Sequence, residues 1–132
     1  MNKFDKKIVV VACILAAITI GLGAFGAHGL KEMLSQESLS TFETGVRYQM
    51  YHSLAILILG LSTQIPSKVK KIVFWFFLFG IIFFSGSIYL LSIKQLLSFN
   101  VSFLGPITPI GGLLFILGWL RLGYGLLTIK RG

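Results

Sequence analysis

The chain has 132 residues, of which 55% are hydrophobic and only 12% charged, with a mean hydropathy of +0.88 and a formal net charge of +8. Soluble domains carry roughly 25% charged residues, and a water-borne core of this size cannot hide so much apolar surface. The positive charge does not mark a nucleic-acid reader either, because such proteins gather Lys and Arg on one face or one helix, whereas here these residues flank apolar stretches.

Four such stretches, 8–29, 45–65, 72–93 and 107–129, each reach the roughly 20 residues a helix needs to cross roughly 30 Å of hydrocarbon. The pattern predicts one all-α domain over residues 1–132, an integral membrane bundle of four antiparallel transmembrane helices. Lys3, Lys6 and Lys7 precede the first span, Lys68, Lys70 and Lys71 separate the second from the third, and Lys130 and Arg131 follow the fourth. The opposite side carries Lys31 and Lys94 in its loops, Arg47 at a span edge, and Glu32, Glu37 and Glu43. The positive-inside rule then puts both termini in the cytoplasm and the loops around Met33 and Asn100 outside.

Lys3 to Lys7 before an apolar run resembles a secretory signal, but a signal's apolar region covers roughly 7 to 15 residues and this one runs on to Lys31, so a retained helix is expected. Too few apolar residues precede Cys13 for a lipoprotein signal, and this lone cysteine reads as a small apolar filler. At 100° per residue, Val11, Ile14, Leu15, Ile18, Leu22 and Phe25 share a bulky arc suited to lipid. Ala12, Ala16, Thr19, Gly23, Gly26 and Ala27 form a second arc and Ala17, Gly21, Ala24 and His28 a third, so neighbours are expected on two sides.

The loop over 31–40 is polar, with Leu30, Met33, Leu34 and Leu39 spaced for a short surface helix. Ser40 and Glu43 form a capping-box pattern that places the start of the second helix there, and Glu43 with Arg47 suits an i,i+4 ion pair. Pro66 and Ser67 make a tight inner loop. Trp75 and Tyr89 suit the two aromatic belts of the third span. Pro106 and Pro109 interrupt the chain, and Thr108 as N-cap with Pro109 in the first turn is the expected restart of the fourth span. Gly111, Gly118 and Gly125 recur every seven residues as a seam for close helix contact, and Arg121 is near enough to the inner end to snorkel.

The string from Gly21 to Gly26 has the letters G-x-G-x-x-G, but it lies inside a membrane helix with no preceding strand, so packing glycines are the better reading. Ionisable and polar groups within spans are the natural functional candidates. Tyr48, Gln49 and His52 share a helix face, and with His28, Ser85, Ser87 and Thr108 they compose an outward-side polar cluster. Such a cluster either binds a proton, a metal or a small polar ligand, or sets helix register by interhelical hydrogen bonds; the second is the more economical reading. Haem held between His28 and His52 is disfavoured by their unequal depths. No catalytic residues and no metal or cofactor ligands are assigned. A proton-coupled multidrug carrier needs an acid within a span, and Asp5, Glu32, Glu37 and Glu43 all lie outside.

Four strings, AFGAHGL (24–30), TGVRYQMYHSLAIL (44–57), FSGSIY (84–89) and GPITPIGG (105–112), with Gly118 and Trp119 after them, resemble the YgdD and YwdK family of small bacterial membrane proteins, domain of unknown function four-two-three. The resemblance covers essentially the whole chain and implies a multi-pass protein of the bacterial cell membrane without supplying a mechanism. The expected function is that of a binding or accessory component whose partners are membrane lipids, other membrane proteins or copies of itself through the glycine seam. The alternative is a small oligomeric transporter or channel lined by the polar cluster.

Overall fold

The computed structural model describes residues 1–130; Arg131, assigned above to the inner flank, lies outside them. The described residues are helical or irregular, without strands, and the expected all-α class holds. Helix α1 spans Lys3–His28 and α2 spans Gln36–Leu61. A third rod consists of α3 (Ser67–Gly80), a π-helical turn (Ile81–Gly86) and α4 (Ser87–Ser92). After two short 3-10 turns, Lys94–Leu96 and Ser102–Leu104, the chain ends in α5 (Ile107–Leu127).

The rods alternate in direction. Gly60 of α2 lies beside Ile8 and Gly26 of α1 beside Phe42, Ser85 reaches back to Gly45, and Gly125 of α5 meets Val69 of α3. Three rods, Lys3–His28, Ser67–Ser92 and Ser102–Leu127, are long and apolar enough to cross a membrane. Helix α2 is equally long, but the polar residues of its first half, Arg47, Gln49 and His52 among them, keep it from meeting the same standard.

Several boundaries differ from expectation for identifiable reasons. Helix α2 begins at Gln36 rather than after Ser40, because Ser35 supplies the cap by accepting the Ser38 N–H at 3.1 Å. Leu30 and Leu34 fold back onto Leu39 and Phe42 as a small core, which shortens the loop. Arg47 donates to the Thr44 hydroxyl at 3.2 Å instead of pairing with Glu43. Thr108 does not cap α5, which starts at Ile107 after Pro106, because its hydroxyl is engaged by Ser87 at 2.6 Å. Tyr89 is not an interfacial anchor; its hydroxyl turns inward to Gln49 at 2.6 Å. Lys70 is not an exposed flanking lysine either, since it is buried with its Nζ 2.9 Å from both Asp5 Oδ1 and the Ser62 carbonyl oxygen.

Helix α1 packs on α2 alone over most of its length. Ala12, Thr19 and Gly26 of its small-residue face are buried, whereas Ala17, Gly21, Ala24 and His28 are exposed, so neighbours grip it on one side and not two. The main core lies between α1, α2 and α3 and is built from Ile8, Ile56, Leu59, Val73 and Phe77.

Helix α5 sits across the third rod from α2. The glycine seam faces that rod within the chain: a Cβ on Gly118 would meet Phe77 at 2.6 Å, one on Gly125 would meet Val69 at 2.7 Å, and one on Gly111 would fall within the backbone of Phe83 and Phe84. Gly80 makes the reciprocal space, since a Cβ there would occupy the ring of Phe115. The seam is thus filled by aromatic side chains and backbone of the same chain, and it is not the surface offered to another copy.

A methyl group at the tightest of these contacts has nowhere to go, because the obstacle is backbone. Gly111→Ala is expected to destabilise the fold by about 1–3 kcal/mol, read as a lowered unfolding midpoint in detergent. Gly123→Ala, where nothing lies within 4 Å, should leave the midpoint unchanged or slightly raised.

Candidate functional site

The polar residues of the middle of the bundle separate into two groups. In the first, every residue is hydrogen-bonded within the protein. Gln49 donates from Nε2 to the Leu15 carbonyl of α1 at 3.3 Å and accepts the Tyr89 hydroxyl of α4 on Oε1, joining three rods. Ser85 is fully buried and donates to the Gly45 carbonyl at 2.8 Å. Ser87 bonds the Phe83 carbonyl of its own rod; with its proton spent there, Thr108 is the donor in the Ser87–Thr108 contact. These bonds tie backbone and side chains together where each would otherwise stand unpaired in hydrocarbon.

The second group surrounds His52. The imidazole is buried at 4% exposure. Its Nδ1 lies 2.8 Å from the Tyr48 carbonyl oxygen and its Nε2 lies 3.0 Å from Nε1 of Trp119 on α5. A carbonyl can only accept and an indole N–H can only donate, so the two bonds together require a neutral ring with its proton on Nδ1. The ring stacks on Phe115 with centroids 3.6 Å apart and planes 9° apart, and Phe77 meets it edge-on at 5.1 Å. Phe115 reaches this position through the space that Gly80 leaves in α3.

Outside this stack, α2 and α5 stand apart on the two sides of the third rod, and a groove of about 500 Å³ opens between them. Phe84 lies at its base. Tyr48 and His52 form one wall, and Pro109, Leu113, Ile116 and Trp119 form the other. A volume of this size suits a small molecule, and aromatic walls with few polar atoms are typical of such sites. The polar atoms at hand are the His52–Trp119 pair and the hydroxyl of the partly exposed Tyr48.

Of the residues proposed from the sequence, the structure brings Tyr48 and His52 to the groove, and it puts Gln49, Ser85, Ser87 and Thr108 into interhelical bonds. His28 joins neither group. It is exposed at the carboxyl end of α1, whereas the contacts of Gly26 with Phe42 and of Gly60 with Ile8 put His52 beside the middle of that helix, about 12 residues and roughly 18 Å from His28 at 1.5 Å per residue. The two histidines therefore cannot share one iron in this arrangement. Trp119, Phe115, Phe84 and Pro109 were not foreseen as site residues. A signal existed, since Gly112, Ile116 and Trp119 recur at i, i+4 and i+7 and so face one way.

Residues 22–112 match the family model described as protein of unknown function, DUF423. The chain is 44% identical over 124 residues to the UPF0382 membrane protein SSP2132 of Staphylococcus saprophyticus, covering 94% of this chain and 99% of that one. It is 38% identical over 119 residues to the UPF0382 membrane protein YwdK of Bacillus subtilis, covering 89% and 93%. A UPF0382 membrane protein of Haemophilus influenzae is 40% identical over 120 residues, covering 91% and 93%. No solved structure matches the chain.

Removing the indole donor isolates the His52–Trp119 bond. Trp119→Phe is expected to lower stability by about 1 kcal/mol, because it leaves a buried imidazole nitrogen without its donor. Nitrogen NMR of labelled histidine should show His52 protonated on Nδ1 alone; a proton on Nε2 would contradict the arrangement.

Proposed function

Because the chain belongs to the DUF423 family, whose relatives are membrane proteins, we propose that it is a four-span protein of the bacterial cell membrane that serves as a binding component. In this reading one small amphiphile enters from the bilayer into the groove between α2 and α5 and rests its polar group near His52 and Trp119. The observation that carries the reading is the groove itself: about 500 Å³, aromatic-walled, with one histidine pinned at its wall.

Two features support α2 as the fourth span despite its polar first half. It runs antiparallel to both α1 and the third rod over its length, and its mid-helix polar side chains, Gln49, His52 and Ser53, are buried and bonded within the protein. Helix α2 is thus shielded from lipid on its polar side, which is how such residues are tolerated in a membrane. The excess of lysines at the end formed by the start of α1 and the start of α3 supports an orientation with both termini in the cytoplasm.

The transporter reading is less well supported. A polar path would need Gln49, Ser85, Ser87 and Thr108 to face a common opening, yet their hydrogen bonds are directed to Leu15, Gly45, Phe83 and one another. An accessory role toward another membrane protein remains compatible with the bare outer faces of α1 and α5, where Ile14, Ile18, Leu120 and Tyr124 are exposed.

Native mass spectrometry of the protein released in mild detergent tests the binding reading. A discrete small-molecule adduct is expected on the wild type and its loss on both His52→Ala and Ile116→Trp, the second of which fills the groove without touching the histidine bonds. A bare wild-type chain, or an adduct that persists in Ile116→Trp, would count against it.

A further inference from the structure

The inner end of the bundle carries a second, separate feature. Among the described residues the one ion pair is Lys70–Asp5, at 2.9 Å. Asp5 is the sole acid at this end, the other three being Glu32, Glu37 and Glu43 around the opposite loop. Lys70 is buried and its Nζ also donates to the Ser62 carbonyl at the end of α2, so the Asp5 carboxylate is committed to a cation held within the fold. Lys3, Lys6 and Lys7 are exposed and have no carboxylate partner among the described residues. Lys71 adds a further positive charge close by, with its Nζ 5.4 Å from the ring centroid of Phe4.

The three lysines are not simply scattered over the surface. Lys3, Lys6 and Lys7 line, through the carbon stems of their side chains, an open apolar groove of about 530 Å³ whose remaining walls are Val10 and Val11, with their ammonium groups outside it. Their spacing puts all five on one face of α1. Beyond Val10 the same face continues through Ile14 and Ile18, which are about half exposed. A charged rim thus passes directly into an apolar track along the helix. The ligand that matches both parts has an anionic head and a long hydrocarbon tail.

We infer that the amino-terminal face of α1 is a binding site for one anionic phospholipid, with the phosphate held by Lys3, Lys6 and Lys7 and an acyl chain laid over Val10, Ile14 and Ile18. The Lys70–Asp5 pair contributes indirectly. By engaging Asp5, the one acidic side chain at this end among the described residues, inside the fold, it leaves the outer lysines free for the phosphate. A free phosphate ion would use the rim but not the apolar track, and the track is what commits the site to a lipid.

The test is native mass spectrometry of the full chain in detergent micelles holding equal amounts of phosphatidylglycerol and phosphatidylcholine with the same acyl chains. The wild type is expected to retain the anionic lipid over the zwitterionic one by on the order of tenfold or more, since each lysine near an anionic surface contributes measurably to attraction. The triple change Lys3→Gln, Lys6→Gln, Lys7→Gln should abolish the preference, and the triple change of the same residues to Arg should keep it. Changing Lys31 and Lys94 to Gln at the other end should leave it intact, and excess inorganic phosphate should not displace the lipid. Elution as a single species checks that each variant is folded. No preference in the wild type, a preference that survives the triple Gln change or is lost in the triple Arg change, or displacement by inorganic phosphate would overturn the inference.

Discussion

The close approach of α5 to the third rod sets the shape of this protein. Between helices in lipid there is no hydrophobic drive, since lipid tails are as apolar as leucine, so association rests on how closely surfaces fit and on hydrogen bonds. Gly111, Gly118 and Gly125 let α5 come down on Phe84, Phe77 and Val69, and Gly80 receives Phe115 in return. Because this fit is made on one face only, α5 lies close against the third rod alone and meets α2 through Phe115 and Trp119 at His52. Its other faces are left to lipid, and the space between it and α2 stays open. A square bundle with a second glycine face on α5 would have closed the groove.

The one polar link across that space is the chain from the Tyr48 carbonyl through the His52 ring to the Trp119 indole. The rest of the polar middle is devoted to holding rods together. Gln49 ties α1, α2 and α4, Ser85 ties the π-helical turn to α2, and Thr108 ties α5 to Ser87. The π-helical turn, Ile81–Gly86, lies where the third rod touches α2 and α5 at once, and it carries Phe84 at the base of the groove. Turns of this kind recur at functional sites, and here the turn, the groove and the histidine coincide.

Much of the architecture was legible because it follows from local pattern. Apolar stretches of bilayer length placed the long helices, and the recurrence of glycine at 111, 118 and 125 marked a close-packed face. The features that escaped prediction are decided by partners distant in the chain. Ser35 and Ser40 are equally good caps by type, and the burial of Leu30 and Leu34 against Leu39 and Phe42 favours the earlier one. Thr108 carries the right chemistry for a cap, but Ser87, 21 residues away, takes its hydroxyl. Lys70 looked like one more inner-flank lysine among its neighbours, and only the fold reveals that Asp5, 65 residues earlier, draws it inward. The pairing of His52 with Trp119 spans 67 residues, and no local rule joins them. His28 and His52, linked by residue type alone, stand on different levels.

The central claim is that the space between α2 and α5 holds a small ligand in the membrane. Leu113 lines that space, is half exposed and makes no polar contact, so a photoreactive residue in its place disturbs little. Irradiation in intact cells followed by mass analysis of the crosslinked chain measures what sits there. The account predicts one discrete small-molecule adduct. Crosslinks to a protein, to a second copy of the chain or to bulk phospholipid in proportion to its abundance would contradict it.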